Sequence, residues 1–154
     1  DVYKRQGIMS VGAVREPVVN FIVKTYEGFK RVLFSGDSLT EIDHVYAFAE
    51  VPEGFVETQR ISNKEMNLVR YENGETGAVI VMSQSITTDY SFSLDSENGE
   101  IKTFDTNGKE VKIYCAESQT LYSAFWVEDT YIMELTYSGE TDTDELLRLI
   151  NTIK

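Results

Sequence analysis

Cysteine, histidine and tryptophan each occur once in this chain of 154 residues, and proline only twice. A single cysteine, Cys115, cannot close an internal disulfide, so the fold must rest on its hydrophobic core. A single histidine, His44, has no second His or Cys at ligand spacing to build a zinc site with, and no Gly-x-Ser-x-Gly elbow to serve as base for. Basic residues are also scarce: 14 Lys and Arg stand against 26 Asp and Glu, a net charge of -12. That balance argues against a nucleic-acid phosphate backbone as partner, which needs clustered cations, and against docking of the folded domain on anionic lipid. No uninterrupted apolar run reaches the ~20 residues of a membrane span, and neither phosphate-loop nor dinucleotide glycine spacing occurs.

What is present is sheet-forming material. Nine tyrosines and eight phenylalanines, with 42% apolar residues overall, favour strands over disorder. The length suits one domain with an N-terminal extension. Residues 1–6 (Asp1-Val2-Tyr3-Lys4-Arg5-Gln6) join no periodic pattern and read as an assembly scar. Residues 7–35 follow as a remnant of a membrane span and a juxtamembrane helix. Gly7 to Val14 is uncharged, and by itself reads equally as the exit end of a span or as a frayed leader. Pro17 sits in the first turn of the helix, with Val18, Val19, Phe21, Ile22, Tyr26 and Phe29 on one side and Asn20, Lys24, Glu27 and Lys30 on the other.

Residues 36–154 form the single expected domain. Leu39 to Ala49 is ambiguous and reads as a loop with one helical turn, and Glu50 to Phe55 reads as a proline-led turn. Strands are expected over Phe55–Ile61, Met66–Tyr71, Gly77–Ser83, Glu100–Phe104 and Glu110–Ala116. Asn73-Gly74 and Asn107-Gly108 supply primed hairpin turns, and Gln84 to Gly99 is a long polar loop. Thr120–Val127 and Tyr131–Tyr137 close a third hairpin around Glu128-Asp129-Thr130. A helix from Asp142 to Ile153 ends the chain, with Asp142 as N-cap, Glu145 completing the capping box, and Leu146, Leu147, Leu149, Ile150 and Ile153 on its apolar face. The fold class is α+β: an antiparallel β-meander covered by the C-terminal helix, with an N-terminal helix leading from the span.

Chemistry-bearing residues are present but scattered. Glu41 and Asp43 flank His44 without making a metal set. The carboxylate pairs Asp95 with Glu97, Glu128 with Asp129, and Asp142 with Asp144 and Glu145 read as solvated loops or helix caps rather than acid–base couples. Asp95 to Glu100 alternates oxygen donors but lacks the terminal Glu and flanking helices of a calcium loop. Cys115 shares a strand face with Val111 and Ile113 and reads as a small apolar filler. Tyr122, Trp126 and Tyr131 belong to an aromatic cluster and form the candidate interaction or ligand surface, with core packing as the alternative.

Several segments in order carry a family likeness: Val51-Pro52-Glu53-Gly54-Phe55, Tyr71-Glu72-Asn73-Gly74, Ser83-Gln84, Asn107-Gly108-Lys109-Glu110, Trp126 with Glu128-Asp129, and Glu145-Leu146-Leu147. From Ile42 to Lys154 the chain resembles the bacterial domain of unknown function family 4367, departing from it where Glu128-Asp129-Thr130 replaces an Asp-Gly turn. Ala13 to Phe21 is similar to the segment that follows the span in such proteins, which makes Gly7 to Val14 a span remnant. The resemblance implies the extracytoplasmic part of a membrane protein of the Firmicute type, some members being anti-sigma-like. The expected function is a non-enzymatic sensor or interaction domain, without cofactor or metal, anchored in the cell membrane. Its partner would be a protein or a cell-envelope ligand, not nucleic acid, and its oligomeric state is open. The rival expectation is a carrier of acyl chains in a cavity lined by Ile80, Met82, Phe125 and Leu146; an enzyme would need a pocket joining His44 to two carboxylates.

Overall fold

The computed structural model describes residues 41–86 and 99–154. The scar, the span remnant, the Pro17 helix and the run from Asp95 to Asn98 lie outside them. Seven strands follow in chain order: β1 Phe55–Ser62, β2 Met66–Asn73, β3 Val79–Ser85, β4 Gly99–Thr106, β5 Lys109–Ala116, β6 Leu121–Glu128 and β7 Tyr131–Ser138. Among the described residues one helix, α1, spans Thr143–Asn151. The strands form one antiparallel sheet in the order β1-β2-β3-β7-β6-β5-β4.

This order corrects the simple meander. Two meanders, β1-β2-β3 and β4-β5-β6-β7, are stitched together by pairing of β3 with β7, from Val79 opposite Ser138 to Ser85 opposite Ile132. Hairpin signals in a sequence report neighbours only, whereas β3 and β7 are about fifty residues apart. Both have buried apolar residues on one face and half-buried or buried ones on the other, the pattern of strands that sit inside a sheet rather than at its edge.

Alternation divides the sheet into two faces. Towards α1 point Val69 and Tyr71, Ile80 and Met82, Val111 and Ile113, Tyr122, Ala124 and Trp126, and Tyr131, Met133, Leu135 and Tyr137; they join Leu146, Leu149, Ile150 and Ile153 in one buried cluster. Because the cavity left behind adds to the lost transfer energy, truncating a large member of such a cluster costs several kcal/mol, roughly 2–5 for a leucine. The opposite face carries Val79, Val81, Ser83 and Ser85 on β3, Ile132, Glu134 and Thr136 on β7, and Ser123, Phe125 and Val127 on β6.

The turns differ in instructive ways. Asn107 and Gly108 both take positive φ, 48° and 80°, and close the two-residue primed turn their sequence predicts. Asn73-Gly74 does not. Glu72 pairs with Val79, so the connection is longer; the Asn73 carbonyl oxygen of the side chain accepts from Glu75 N at 2.9 Å and Thr76 N at 3.1 Å, and Gly77 takes the left-handed position. The side-chain amide has captured the local donors in place of a tight bend. In the turn before β1, Phe55 N donates to Pro52 O at 3.1 Å with Gly54 at φ 86°. Pro52 is thus the first turn residue, not the second, and Gly54 supplies the left-handed third.

Residues 41–49 hold no helical turn. They run extended across the apolar side, where Ala47 N donates to Lys154 O at 3.0 Å and Lys154 N to Ala47 O at 2.9 Å, beside a bridge of Phe48 with Ile153. The buried Gln84 amide fixes the same segment, accepting from Tyr46 N at 2.9 Å and donating to His44 O at 2.7 Å. Asp142 caps α1 as expected, its Oδ1 accepting from Glu145 N at 2.8 Å, but the helix stops at Asn151 and Ile153 leaves it to pair with Phe48.

Candidate functional site

Beside the N-terminal half of α1 the described surface opens into a cleft of about 660 Å³. Three local decisions of the chain shape it. The Pro52–Phe55 turn and the Asn73 turn interlock, since a side chain at Gly54 would meet Asn73 Nδ2 at 2.6 Å. Gly139, at φ 140°, lets the chain leave β7 against Ala78, where a Cβ would come within 2.8 Å of the alanine methyl. The Asp142 cap then turns the backbone into α1, so that Glu145, Arg148 and Leu149 form the third wall.

The floor is aromatic: Phe55 meets Tyr137 edge to face, ring centroids 6.1 Å apart. The rim is charged. Glu53 and Glu140 stand on it, and Arg148 donates through both nitrogens of its fork to Glu145, with Nε to Oε1 at 3.1 Å. The Glu145 carboxylate, with Glu50 adding to it, holds the Arg148 guanidinium even more firmly protonated than usual. A shallower continuation of about 360 Å³ runs along the helix past Glu50, Val51 and Thr152. The whole groove sets four carboxylates around one guanidinium that is itself neutralised, over an apolar floor. Such a surface attracts a cation and has room for its hydrocarbon stem.

The aromatic surface expected at Tyr122, Trp126 and Tyr131 is interior. Relative exposures of 5%, 0% and 2% place all three in the cluster beneath α1 and residues 41–49, where no ring face meets solvent. Their polar tips brace the fold: Tyr122 OH donates to Thr141 O at 3.0 Å just before the cap, Trp126 Nε1 to Glu128 Oε1 at 3.1 Å, and Tyr131 OH accepts from Asp43 N at 2.9 Å. Burial of an aromatic with its polar tip satisfied is the usual solution for such residues. Ile80, Met82 and Leu146 are fully buried in the same packed cluster and Phe125 lies on the other face, so these four do not line a common cavity. Cys115 is half-buried against the core, beside Tyr122 in register.

His44 is exposed, its ring edge-on to Tyr46 at 4.6 Å. Among the described residues no group of three potential metal ligands gathers. Burial first, and then the Asp129 carboxylate that it hydrogen-bonds at 3.3 Å, push the Tyr46 phenol up to about 12, so it acts as a fixed donor. Two residues that sequence reasoning passed over prove structural. Gln84 bridges to a segment forty residues away, and Glu134 is a carboxyl set in the middle of the sheet, raised to about 8 by desolvation against a lowering bond from Thr136. A lone acidic residue between Ile132 and Thr136 on the second face of a strand in the middle of the sheet was the available signal. The cleft had a signal too, in the Pro-x-Gly turn and the Ser-Gly break before a capped helix.

The fold that carries this groove is a small, mostly β domain: an antiparallel seven-stranded sheet closed by a C-terminal helix. Residues 45–153 match the family model for the domain of unknown function DUF4367. The chain belongs to that family. No curated protein and no solved structure matches it.

Proposed function

We propose that this chain is a non-enzymatic recognition domain, held at the outer face of a bacterial membrane by the apolar stretch before Arg15. Its groove beside α1 receives a positively charged, partly apolar segment of a protein or cell-envelope partner. The groove carries the reading: a floor of Phe55 and Tyr137 lies beneath Glu50, Glu53, Glu140 and Glu145. A Lys or Arg stem lies over those rings while its head stays among the carboxylates, and cation–π attraction adds to the ion pairs. Rim charges of this kind govern steering and selectivity more than tightness, which suits a sensor that must release its ligand. An anti-sigma or envelope-stress setting is the context in which an outer domain of this family would report inward.

Titration of the whole chain with a short alternating Lys-Phe peptide tests the groove. Saturable binding that weakens with salt is expected, and Glu53→Gln with Glu140→Gln should weaken it about threefold to tenfold. Binding unchanged by that double variant, or none by the parent chain, would sink the reading. The location is tested separately by adding protease to intact cells: cleavage of the domain is expected, and protection places it inside.

A further inference from the structure

β1 ends the sheet on one side and lies open. Among the described residues it pairs with β2 alone, and every residue from Val56 to Ser62 is exposed, Val56 at 63% and Ile61 at 41%. Long edges are commonly guarded by proline or lysine, and β1 has neither. Glu57 pairs with Tyr71 and Gln59 with Arg70, so Thr58 is an extra residue between them. Its hydroxyl donates to Glu72 Oε2 at 3.1 Å, on the face opposite Tyr71. Such a bulge sets two successive residues on one face and reverses the alternation beyond it. Phe55, Glu57, Arg60 and Ser62 therefore share the side of Tyr71 and Val69, while Val56, Thr58, Gln59 and Ile61 share the other.

We infer that β1 is the seat of a second copy of this chain, docked antiparallel about a two-fold axis between Thr58 and Gln59 so that the sheet continues across the dimer. Two-fold pairing of edges requires that opposed residues lie on the same face. The bulge meets that condition: Val56 comes opposite Ile61 of the copy, Glu57 opposite Arg60 and Phe55 opposite Ser62, each pair on one face and each occurring twice. Charge complementarity selects this occupant. β1 holds one acid and one base in a chain of net charge -12, a neutral strip on a molecule that otherwise repels its own copy. Glu57 and Arg60 already join at 2.8 Å within the chain, and two copies close these pairs into a square of alternating charge. A bulge twists an edge away from ordinary strands, but a copy with the same bulge at the same level matches it. One strand pair buries less than a standard interface, so the dimer forms at on the order of 100 μM. It does not depend on what the groove binds.

Sedimentation of the whole chain over a concentration series tests it. The parent should pass from monomer to dimer, and hydrogen exchange at the β1 amides should slow as the dimer forms. Glu57→Arg and Arg60→Glu, at exposed side chains, each set like charges opposite one another twice and should raise the dissociation constant about tenfold. Mixed one to one, the two single variants should associate as the parent does, because the acids of one chain then face the bases of the other. Glu57→Arg with Arg60→Glu in one chain should dimerise by itself, which shows that neither exchange harms the fold. A parent that stays monomeric to about 1 mM overturns the proposal. So does a dimer that both single variants leave unchanged, which places the contact elsewhere, or a pair of variants that fail to complement each other, which puts the strands in another register. Exchange at β1 that slows in a monomeric chain on adding the Lys-Phe peptide also overturns it, and assigns the edge to a strand of another protein.

Discussion

The two faces of the sheet solve burial by different chemistry. Towards α1 the residues are almost wholly apolar, and the polar groups admitted there are tied to backbone far away in sequence: Gln84 to His44 and Tyr46, Tyr131 to Asp43, Tyr122 to Thr141. Asn67 stands apart, an amide 1% exposed with no hydrogen-bond partner among the described residues. The other face mixes Val81, Phe125 and Ile132 with Ser83, Ser123, Thr136 and Glu134. Burial on the apolar face is opposed by few polar groups with water to return to; on the other face every hydroxyl and the carboxyl have a competing state in water, so burial there gains less.

The largest test of that contrast is truncation on each side. Leu146→Ala, at a fully buried site under the sheet, should cost about 3 kcal/mol in denaturant unfolding, against about 1 kcal/mol for Val81→Ala on the half-buried face. Equal losses would erase the distinction. Gln84→Ala should cost about 2 kcal/mol, since it strands a buried donor and acceptor, and hydrogen exchange should quicken at Tyr46.

Glu134 gives a test with a sign. Its folded value of about 8 lies above that of an exposed glutamate, ~4.3, so between those limits the folded protein keeps a proton the unfolded chain has lost. Stability should therefore fall as pH rises through that window. Glu134→Gln should flatten the slope and stabilise the protein at pH 8 by on the order of 1–2 kcal/mol. A steeper slope in the variant would contradict the assignment. Smallest of the set, Asp142→Ala should cost about 1 kcal/mol by freeing Glu145 N, without altering either face.

Local signals carried most of the fold. Strand alternation, the Asn107-Gly108 turn and the Asp142 cap act between residues a few positions apart, and the structure bears them out. The order of the strands depended on β3 meeting β7, and the path of residues 41–49 on a glutamine forty positions away; no local pattern encodes either. The aromatic cluster was legible as aromatic but not as interior, because period two marks faces without saying which face is wet. The groove went unread for a related reason: its walls come from three turns distant in sequence, each of which looks like ordinary punctuation.

The paired bonds between Ala47 and Lys154 have a further consequence. They bring the beginning of the family-matched region, at residue 45, and its end, at residue 153, to one point on the surface. A unit whose entrance and exit coincide can be spliced into a loop of another protein without prising that loop open, or rejoined end to end and reopened at the Asn107-Gly108 bend with its strand order intact. In the architecture of a longer chain it behaves as a side pendant, which neighbours can gain or lose without displacing what lies before and after.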